Sequence, residues 1–374
     1  METAHNIFIG NSNSLSKIED DGVELVVTSP PYPMIEMWDD VFSSLNTDIK
    51  TALDSGDGRE AFKLMHGELK KTWDEVERVL VDGGIACINI GDATRKVDNS
   101  FRVYQNHARI TEYFDNMGFE PLPDILWRKP TNSAAKFMGS GMMPPNAYAT
   151  LEHEYLLIFR NGKQSRDFGS NNIVRYESAY FWEERNEWFS DIWEGIKGTF
   201  QQLENVDKEL RDRSAAYPLE VPYRLINMFS VYGDTVLDPF WGTGTTSLAS
   251  MIAGRNSVGY EIQEQFRHVF DDEIEEVKEL AHSIVSKRIR RHEEFVEQRL
   301  ENGEDFKYDA ENYDFPVTTK QEKQLQLYNI DSISEAEDGY VVTHSNYNKP
   351  NSIQPDTTDN QGQATLSGRF QQDD

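Results

Sequence analysis

The sequence predicts an α/β protein whose core is a mostly parallel β-sheet with helices on both faces. Short apolar segments typical of strands alternate with segments whose apolar residues recur at helical spacing. One stretch, Thr235 to Glu261, supplies a strand, a glycine-containing loop, a helix and a second strand, which is a complete β-loop-α-β unit. At about 150 residues per domain, the 374 residues suffice for roughly two and a half domains, or for one large domain with insertions.

Two short strands open the chain, and a helix and a third strand follow. Ile7 to Ile9 is predicted to be the first strand, and Val23 to Val27 a second, buried one. The second strand leads directly into Thr28-Ser29-Pro30-Pro31-Tyr32. Apolar residues recur at helical spacing from Phe62 to Leu80, which predicts a helix ahead of a strand at Ile85 to Ile90.

A further helix and two strands come next and enclose a long insertion. Ile110 to Met117 is predicted to be a helix that ends at Gly118, and Ile125 to Trp127 and Tyr155 to Phe159 are predicted to be strands. Between these strands, residues 128–152 are too rich in Gly, Pro and Met for a regular element. Loops of this length are usually functional or mobile.

The carboxyl-terminal part contains the β-loop-α-β unit between a helix on one side and a charged extension on the other. Leu225 to Val231 predicts the preceding helix, and Glu264 to Leu300 predicts one long helix or a helix pair. Asp331 to Asp374 carries eight acidic residues against two basic ones. This polar composition predicts that the tail is disordered or loosely docked.

Composition excludes several classes of protein. The chain has 38% hydrophobic and 11% aromatic residues, which is enough for a large core and excludes a wholly disordered chain. Its apolar runs are far shorter than the roughly 20 residues of a membrane span, and its start lacks a signal-peptide pattern. A single cysteine, Cys87, cannot form an internal disulfide. A reducing cytoplasm is therefore the expected location.

The charge balance is unusual. A net charge of −28 argues against a general electrostatic hold on nucleic acid, since phosphate binding depends on Lys and Arg. The segment from Arg128 to Arg175 is an exception, because seven basic and three acidic residues give it a charge of +4. The low isoelectric point also suggests adaptation to a salt-rich cytoplasm; the alternative is simply an acidic, solvated surface.

One group of residues predicts a nucleoside site. In the loop Asp238 to Thr246, Gly242 and Gly244 allow close approach of the backbone to a ligand, and the helix that follows offers unpaired N–H groups. Glu261 ends the next strand, where an acid can accept hydrogen bonds from ribose hydroxyls. The alternative is a tight turn at a sheet edge, because Ser247 stands where the dinucleotide fingerprint has its third glycine.

A second group predicts an acceptor pair for an amino group. Ser29-Pro30-Pro31-Tyr32 follows a buried strand, at the end where open α/β sheets place their chemistry. The two prolines fix the backbone, so that the Ser29 side chain and the Pro30 carbonyl become rigid acceptors. They suit the exocyclic amino group of a base flipped out of its helix, with Tyr32 stacked on its face. The alternative is a rigid turn with a surface tyrosine.

These two motifs resemble the catalytic and S-adenosylmethionine motifs of amino-group DNA methyltransferases. The catalytic motif comes first in the chain, which is the order of the β group of that family. Ala215 to Pro222 and Gly259-Tyr260-Glu261 are similar to two further family segments, so the resemblance covers roughly residues 6 to 270. It implies a Rossmann-like class I methyltransferase fold with a seven-stranded, mostly parallel sheet, an inserted target-recognition region and a carboxyl-terminal extension.

The resemblance also divides the chain. Residues 1–130 would form the catalytic half, 131–205 the target-recognition insertion and 206–270 the cofactor-binding half. Residues 271–330 would form a helical extension, and 331–374 an acidic, flexible tail.

The resemblance assigns roles to individual residues. The catalytic set is Ser29, Pro30, Pro31 and Tyr32. The S-adenosyl-L-methionine set is Asp238, Phe240, Gly242, Thr243, Gly244, Thr245, Glu261, Tyr217, Pro218 and, where the family generally has Asp, Asn11. DNA contacts are assigned to Lys136, Arg166 and Arg175, for which a solvated surface is the alternative. No metal site is predicted.

The implied reaction is methyl transfer from S-adenosyl-L-methionine to the N4 atom of a flipped cytosine in double-stranded DNA, because the tetrapeptide begins with Ser29. Adenine-N6 methylation is the nearest alternative, and an RNA methyltransferase or an inactive DNA-binding protein is a more distant one. Cytosine-C5 chemistry needs an exposed thiolate, whereas Cys87 lies within a predicted strand. A cognate restriction endonuclease is a conceivable partner, and the oligomeric state stays open.

Overall fold

The computed structural model describes residues 1–129, 138–139, 141–170, 172–196 and 217–348. The helices are α1 Asp39–Leu45, α2 Thr47–Asp54, α3 Gly58–Val79, α4 Asn106–Met117, α5 Ile173–Glu177, α6 Trp182–Trp188, α7 Glu220–Phe229, α8 Thr245–Ala253, α9 Gln265–Glu273 and α10 Val277–Glu301. The strands are β1 Glu2–Ile9, β2 Val23–Thr28, β3 Leu80–Ile90, β4 Ala93–Val97, β5 Ser100–Tyr104, β6 Glu120–Pro121, β7 Ile125–Arg128, β8 Met138–Gly139, β9 Ala147–Tyr148, β10 His153–Arg160, β11 Ile192–Trp193, β12 Thr235–Asp238, β13 Asn256–Glu261, β14 Tyr308–Asp309, β15 Pro316–Val317, β16 Tyr328–Ala336 and β17 Gly339–Asn346.

Within these residues, eleven strands form one sheet in the order β11-β7-β10-β3-β2-β12-β13-β1-β17-β16, with β6 paired to β10. The central five, from β3 to β1, are parallel to one another. Antiparallel strands flank them on both sides, which is why the sheet exceeds the seven strands expected. The predicted α/β fold with a mostly parallel central sheet is confirmed.

Helices cover both faces of this sheet because successive side chains of a strand point to opposite sides. In β2, Leu25 and Val27 pack into one apolar cluster with residues of α7, α8 and α10, whereas Val26 packs into a second cluster with residues of α1 to α4. Cys87 of β3 is buried in the first cluster, and burial raises the pKa of its thiol. The expectation that Cys87 is a core residue is therefore confirmed.

The prediction of a flexible tail from Asp331 is wrong for the part of the tail that the structure describes. Strands β16 and β17 form a hairpin, and β17 pairs with β1, so the hairpin extends the main sheet. Ile330, Tyr340 and Val342 are buried in the core, whereas the serines at positions 332, 334 and 345 are exposed. The average composition conceals this alternation. Residues 349–374 lie outside the described part of the chain.

The helix pair predicted from Glu264 to Leu300 is present as α9 and α10 and ends at Glu301. The helical extension expected over residues 271–330 does not continue beyond this point as a long helix. Two short paired strands, β14 and β15, follow, together with a 3₁₀ helix at Lys320–Gln324. The segment up to residue 330 is thus only partly helical. In the predicted insertion, Trp188 and Trp193 are buried, whereas Trp182 is exposed. No helix in the described ranges is both long and apolar enough to cross a membrane.

Substitutions in the β16–β17 hairpin test whether it packs firmly against the core. Val342→Ala is expected to lower the free energy of unfolding by about 1–3 kcal/mol, because two buried methyl groups are lost and a cavity remains. Val341→Ala is the matched control, because Val341 points to the opposite face of the strand and is only partly buried. This variant should change the free energy of unfolding by less than about 1 kcal/mol. Urea unfolding of both variants measures the difference. Equal stabilities would mean that the hairpin is only loosely docked.

Candidate active site

The main cleft lies at the carboxyl ends of the central parallel strands, where β1, β2, β12 and β13 meet one edge of the sheet. Its volume is about 330 Å³. Both predicted motifs contribute to it. The predicted residues that line it are Asn11, Ser29, Pro30, Pro31, Tyr32, Tyr217, Asp238, Phe240, Gly242, Thr243, Thr245 and Glu261. Gly244 and Pro218 lie directly beside lining residues but do not line the cleft themselves.

A hydrogen bond between neighbouring strands ties the two motifs together. The Thr28 hydroxyl donates to Oδ1 of Asp238 at 2.6 Å, so the tetrapeptide after β2 and the loop after β12 begin side by side. The same carboxylate accepts from the Thr246 hydroxyl at 2.6 Å and from the backbone N–H of Phe240 at 3.0 Å. Burial raises the pKa of Asp238 to about 6, and these donors oppose that shift.

The glycine loop depends on positive φ angles and on space for one large ring. Gly242 and Gly244 have φ values of 56° and 80°, a region that favours glycine. Trp241, whose role the sequence left open, is buried, and its indole N–H donates to the Ser247 hydroxyl at 2.8 Å. Its ring lies against Gly259, where an added Cβ would be 2.1 Å from Trp241 Cδ1.

Glu261 lies where the sequence places a ribose-binding acid. Its two carboxylate oxygens accept from the backbone N–H groups of Gly242 and Gln263, each at 2.9 Å. Burial raises the pKa of this carboxyl to about 7, because only backbone donors compensate its charge. Thr245 Oγ1 is buried in the same cleft and has no hydrogen-bond partner among the described residues. These groups are available to a polar ligand.

The tetrapeptide that begins at Ser29 is held by a polar network that the sequence did not predict. The hydroxyls of Ser29 and Tyr32 are 3.3 Å apart, and the Tyr32 hydroxyl donates to Oε2 of Glu154 at 2.9 Å. The Asn89 side-chain amide contacts the Tyr32 hydroxyl and Glu154 Oε2, both at 2.8 Å. Lys129 pairs with the other Glu154 oxygen. Burial, and then the charge of Glu154, raise the pKa of Tyr32 well above its usual range.

One further part of the cleft wall is apolar. The segment after the tetrapeptide, including α1, supplies Ile35, Trp38 and Val41. Asn11 also lines the cleft, and its side-chain oxygen accepts the backbone N–H of Asn13 at 2.9 Å. Sequence patterns made no assignment for the apolar wall, since a helix as short as α1 has too few turns for a clear periodicity.

Comparisons with known proteins agree with this geometry. A family model described as DNA methylase, of the N6/N4 methyltransferase type, matches residues 23–272. The chain is 51% identical over 330 residues to the Type II methyltransferase M.MthZI of Methanothermobacter thermautotrophicus, covering 88% of this chain and 91% of that protein. It is 50% identical over 285 residues to the Type II methyltransferase M.MjaI of Methanocaldococcus jannaschii, with 73% and 91% covered.

The chain belongs to the N6/N4 DNA methylase family. Among solved structures it is similar to a candidate DNA modification methylase of Thermus thermophilus, TTHA0409, whose crystal structure contains S-adenosyl-L-methionine. That similarity has a TM-score of 0.55 and 29% identity, and it covers 72% of this chain and 94% of the other. The class I methyltransferase fold expected from the motifs is thus confirmed.

The structure places two of the three residues predicted to contact DNA away from the cleft. Arg166 forms a two-pronged ion pair with Asp234 at 2.6 and 2.8 Å, so its charge is already compensated. Asp234 precedes β12, whereas the cleft lies at the other end of that strand, ~13 Å away at 3.3 Å per residue. Arg175 lies over the same Phe168 ring as Arg166 and so shares that location. Lys136 lies outside the described residues.

Gly259→Ala tests how closely Trp241 packs in the methylase. The variant is expected to lose about 1–3 kcal/mol in free energy of unfolding, because the new methyl group would overlap the buried indole. Gly67→Ala is the control: that glycine lies inside α3 with no atom within 4 Å of an added Cβ. Alanine there should stabilise by about 0.5–1 kcal/mol through its helix propensity. Chemical denaturation that finds Gly259→Ala as stable as the wild type would contradict the packing described.

Proposed function

We propose that this methylase transfers a methyl group to the N4 atom of a cytosine in double-stranded DNA. The observation that carries the proposal is that Ser29, the first residue of the tetrapeptide, opens into the same cleft as the glycine loop and Glu261. A hydroxyl at this position is typical of the cytosine-N4 members that the sequence resembles. A base can reach Ser29 only by leaving the duplex, so base flipping is part of the proposal.

The cofactor is S-adenosyl-L-methionine, and the residues of the cleft fit it. Glu261 would accept the ribose hydroxyls, and Phe240 would lie near the adenine. Asp238, the backbone from Gly242 to Thr245 and the unpartnered Thr245 hydroxyl would hold the methionine end. When bound, the cofactor supplies an electrophilic methyl group on a sulfonium centre.

The chain's own contribution is positioning. The Ser29 hydroxyl and the Pro30 carbonyl would accept the two N–H bonds of the target amino group, which favours a lone pair directed at the methyl donor. Tyr32 would stack on the base, and its hydroxyl is already fixed by Glu154 and Asn89. The hydrogen bonds from the amino group to Ser29 and Pro30 would strengthen as the nitrogen becomes tetrahedral. No covalent bond between enzyme and base is needed.

Its relatives bear the names of Type II methyltransferases. On that basis we include in the proposal a cognate restriction endonuclease that cuts the same, unmodified DNA sequence. A cytoplasmic location and adaptation to high salt stay predictions from the sequence.

Nucleoside mass spectrometry tests the reaction. Duplex DNA incubated with the protein and S-adenosyl-L-methionine is expected to yield N4-methylcytosine, and Ser29→Ala should yield at least about 100-fold less while still binding the cofactor. An RNA substrate in parallel should remain unmethylated. Methyladenine without N4-methylcytosine would assign the enzyme to the adenine-N6 group. Absence of any methylated nucleoside with the wild type would contradict the proposal as a whole.

Cofactor affinity should depend on pH through Glu261. The pKa of Glu261 is about 7, so part of the free protein carries a proton on this carboxyl near neutral pH. Ribose hydroxyls donate to the ionised carboxylate, so cofactor binding favours loss of that proton. Affinity should therefore rise up to about tenfold per pH unit below 7 and level off above it. Asp238, with a pKa of about 6, should steepen the dependence at lower pH. Calorimetry in buffers of different ionisation enthalpy should detect proton release on binding near pH 6.

Two variants separate this effect from general changes of the protein. Glu261→Gln cannot ionise, so its affinity should be lower at about pH 8 and nearly constant between about pH 6.5 and 8. Glu264→Gln removes an exposed carboxylate three residues further on and should keep the wild-type profile. A pH-independent affinity in the wild type would show that Glu261 does not receive the ribose.

A further inference from the structure

A continuous hydrogen-bonded path leads from the Ser29 hydroxyl to a carboxylate. Ser29 Oγ and the Tyr32 hydroxyl are 3.3 Å apart, and the Tyr32 hydroxyl is 2.9 Å from Glu154 Oε2. The Asn89 amide nitrogen touches every member of the path, at 3.4 Å from Ser29 Oγ and 2.8 Å from each of the other two oxygens. An amide does not titrate, so Asn89 can hold the three groups in line without exchanging their protons.

Glu154, at the far end of this path from Ser29, is ion-paired with Lys129. Its side chain is 11% exposed, and a carboxylate this buried is costly unless it is paired. Lys129, which directly follows β7, provides the pairing through the oxygen that Tyr32 does not use. Tyr32 is the other titratable group in contact with it, and Tyr217, which also lines the cleft, lies close enough to Tyr32 to raise its pKa. The pKa values of both tyrosines are raised, so both hydroxyls stay protonated.

The packing around Tyr32 leaves little freedom for the path to come apart. A Cβ added at Gly91 would lie 3.0 Å from Tyr32 Cε2 and 3.3 Å from Glu154 Cγ. Glycine at this position thus lets the ring and the carboxylate approach each other over the end of β3.

Amino-group methylation, as proposed above, leaves one proton too many on the nitrogen. As the N–C bond forms and the bond from methyl to sulfur breaks, the nitrogen becomes positively charged and must then lose a proton. Of the two acceptors in the proposed geometry, only the Ser29 hydroxyl can pass a proton on, because the Pro30 carbonyl has no proton of its own to release. An alcohol cannot keep a second proton near neutral pH, so Ser29 needs a further acceptor.

We propose that Glu154 receives this proton through Tyr32 and Ser29. The nitrogen gives its proton to Ser29 Oγ, the Ser29 proton moves to the Tyr32 oxygen, and the Tyr32 proton moves to Glu154. One N–H bond is broken, one O–H bond forms on Glu154, and both hydroxyls are restored. Lys129 and Glu154 border the open cleft, from which water can remove the proton after the product leaves. Glu154 acts through Tyr32 and is therefore a positioning residue of this site with a proton-accepting role.

Two substitutions at Glu154 distinguish this role from merely holding the tyrosine ring. Gln has the size of Glu and keeps an oxygen for the Tyr32 hydroxyl, but it cannot accept a proton. Asp is a methylene shorter, yet it remains a base. If Glu154 accepts the proton, Glu154→Asp should methylate faster than Glu154→Gln. If it only supports the ring, the order should reverse.

The measurement is the single-turnover rate of methyl transfer to duplex DNA at saturating S-adenosyl-L-methionine. Glu154→Gln is expected to slow this rate about 100-fold or more, the usual contribution of a general base, with cofactor and DNA dissociation constants within about twofold of wild type. Tyr32→Phe removes the middle of the path while keeping the ring, and should slow the rate similarly. The double variant should be no slower than either single one, because both interrupt one path.

Glu152→Gln is the matched control. It makes the same change two residues away, where the carboxylate pairs with Arg128 at 3.4 Å outside the cleft, and its rate should stay within about twofold of wild type. A wild-type rate in Glu154→Gln, or a slower Asp than Gln variant, would overturn the inference and leave the methyltransferase assignment intact. If Glu154→Gln does not fold, a wild-type rate in Tyr32→Phe overturns it equally. A wild-type protein that methylates no DNA would instead refute the proposed function.

Discussion

The site depends on the hydrogen bond from Thr28 to Asp238 at the ends of two neighbouring parallel strands. The two residues are 210 positions apart in the chain, but β2 and β12 are adjacent, so their ends are about 5 Å apart. Each residue is the last before a functional loop. Their contact therefore holds the Ser29 tetrapeptide and the glycine loop next to each other. Burying the Asp238 charge is unfavourable, as its raised pKa shows, and three donors reduce that cost.

Electrostatics of the cleft also follow from burial. Asp238 and Glu261 each have a raised pKa, and the charge of Asp238 contributes to the shift at Glu261. Both carboxylates would be stabilised by a cationic ligand with hydroxyl donors, which is what a sulfonium nucleoside offers. Lys129, whose cationic side chain lines the cleft, forms an ion pair with Glu154. In the described part of the cleft, the positive charge of Lys129 is therefore balanced, and Asp238 and Glu261 are buried acids.

Local patterns predicted seven strands of the main sheet, the glycine loop and the tetrapeptide, since each rests on residues close together in the chain. Contacts between distant residues could not be read in this way. Tyr32 and Glu154 are 122 positions apart, and a glutamate near the start of a strand gives no sign of a buried partner. The ion pair of Arg166 could not be predicted for the same reason, because its partner Asp234 lies 68 positions further on. In the tail, the averaged composition concealed the alternating apolar positions around Val342.

The departures from the expected cofactor loop are explained by one another. A tryptophan at position 241 brings an indole N–H into the core, where an unpaired donor costs about 1–3 kcal/mol. Ser247, which stands where a dinucleotide fingerprint has glycine, provides the acceptor at 2.8 Å. Gly259 provides the space for the ring. Replacing Ser247 alone by glycine would restore the fingerprint but leave the Trp241 indole N–H without its acceptor. Trp241, Ser247 and Gly259 therefore form one packing unit.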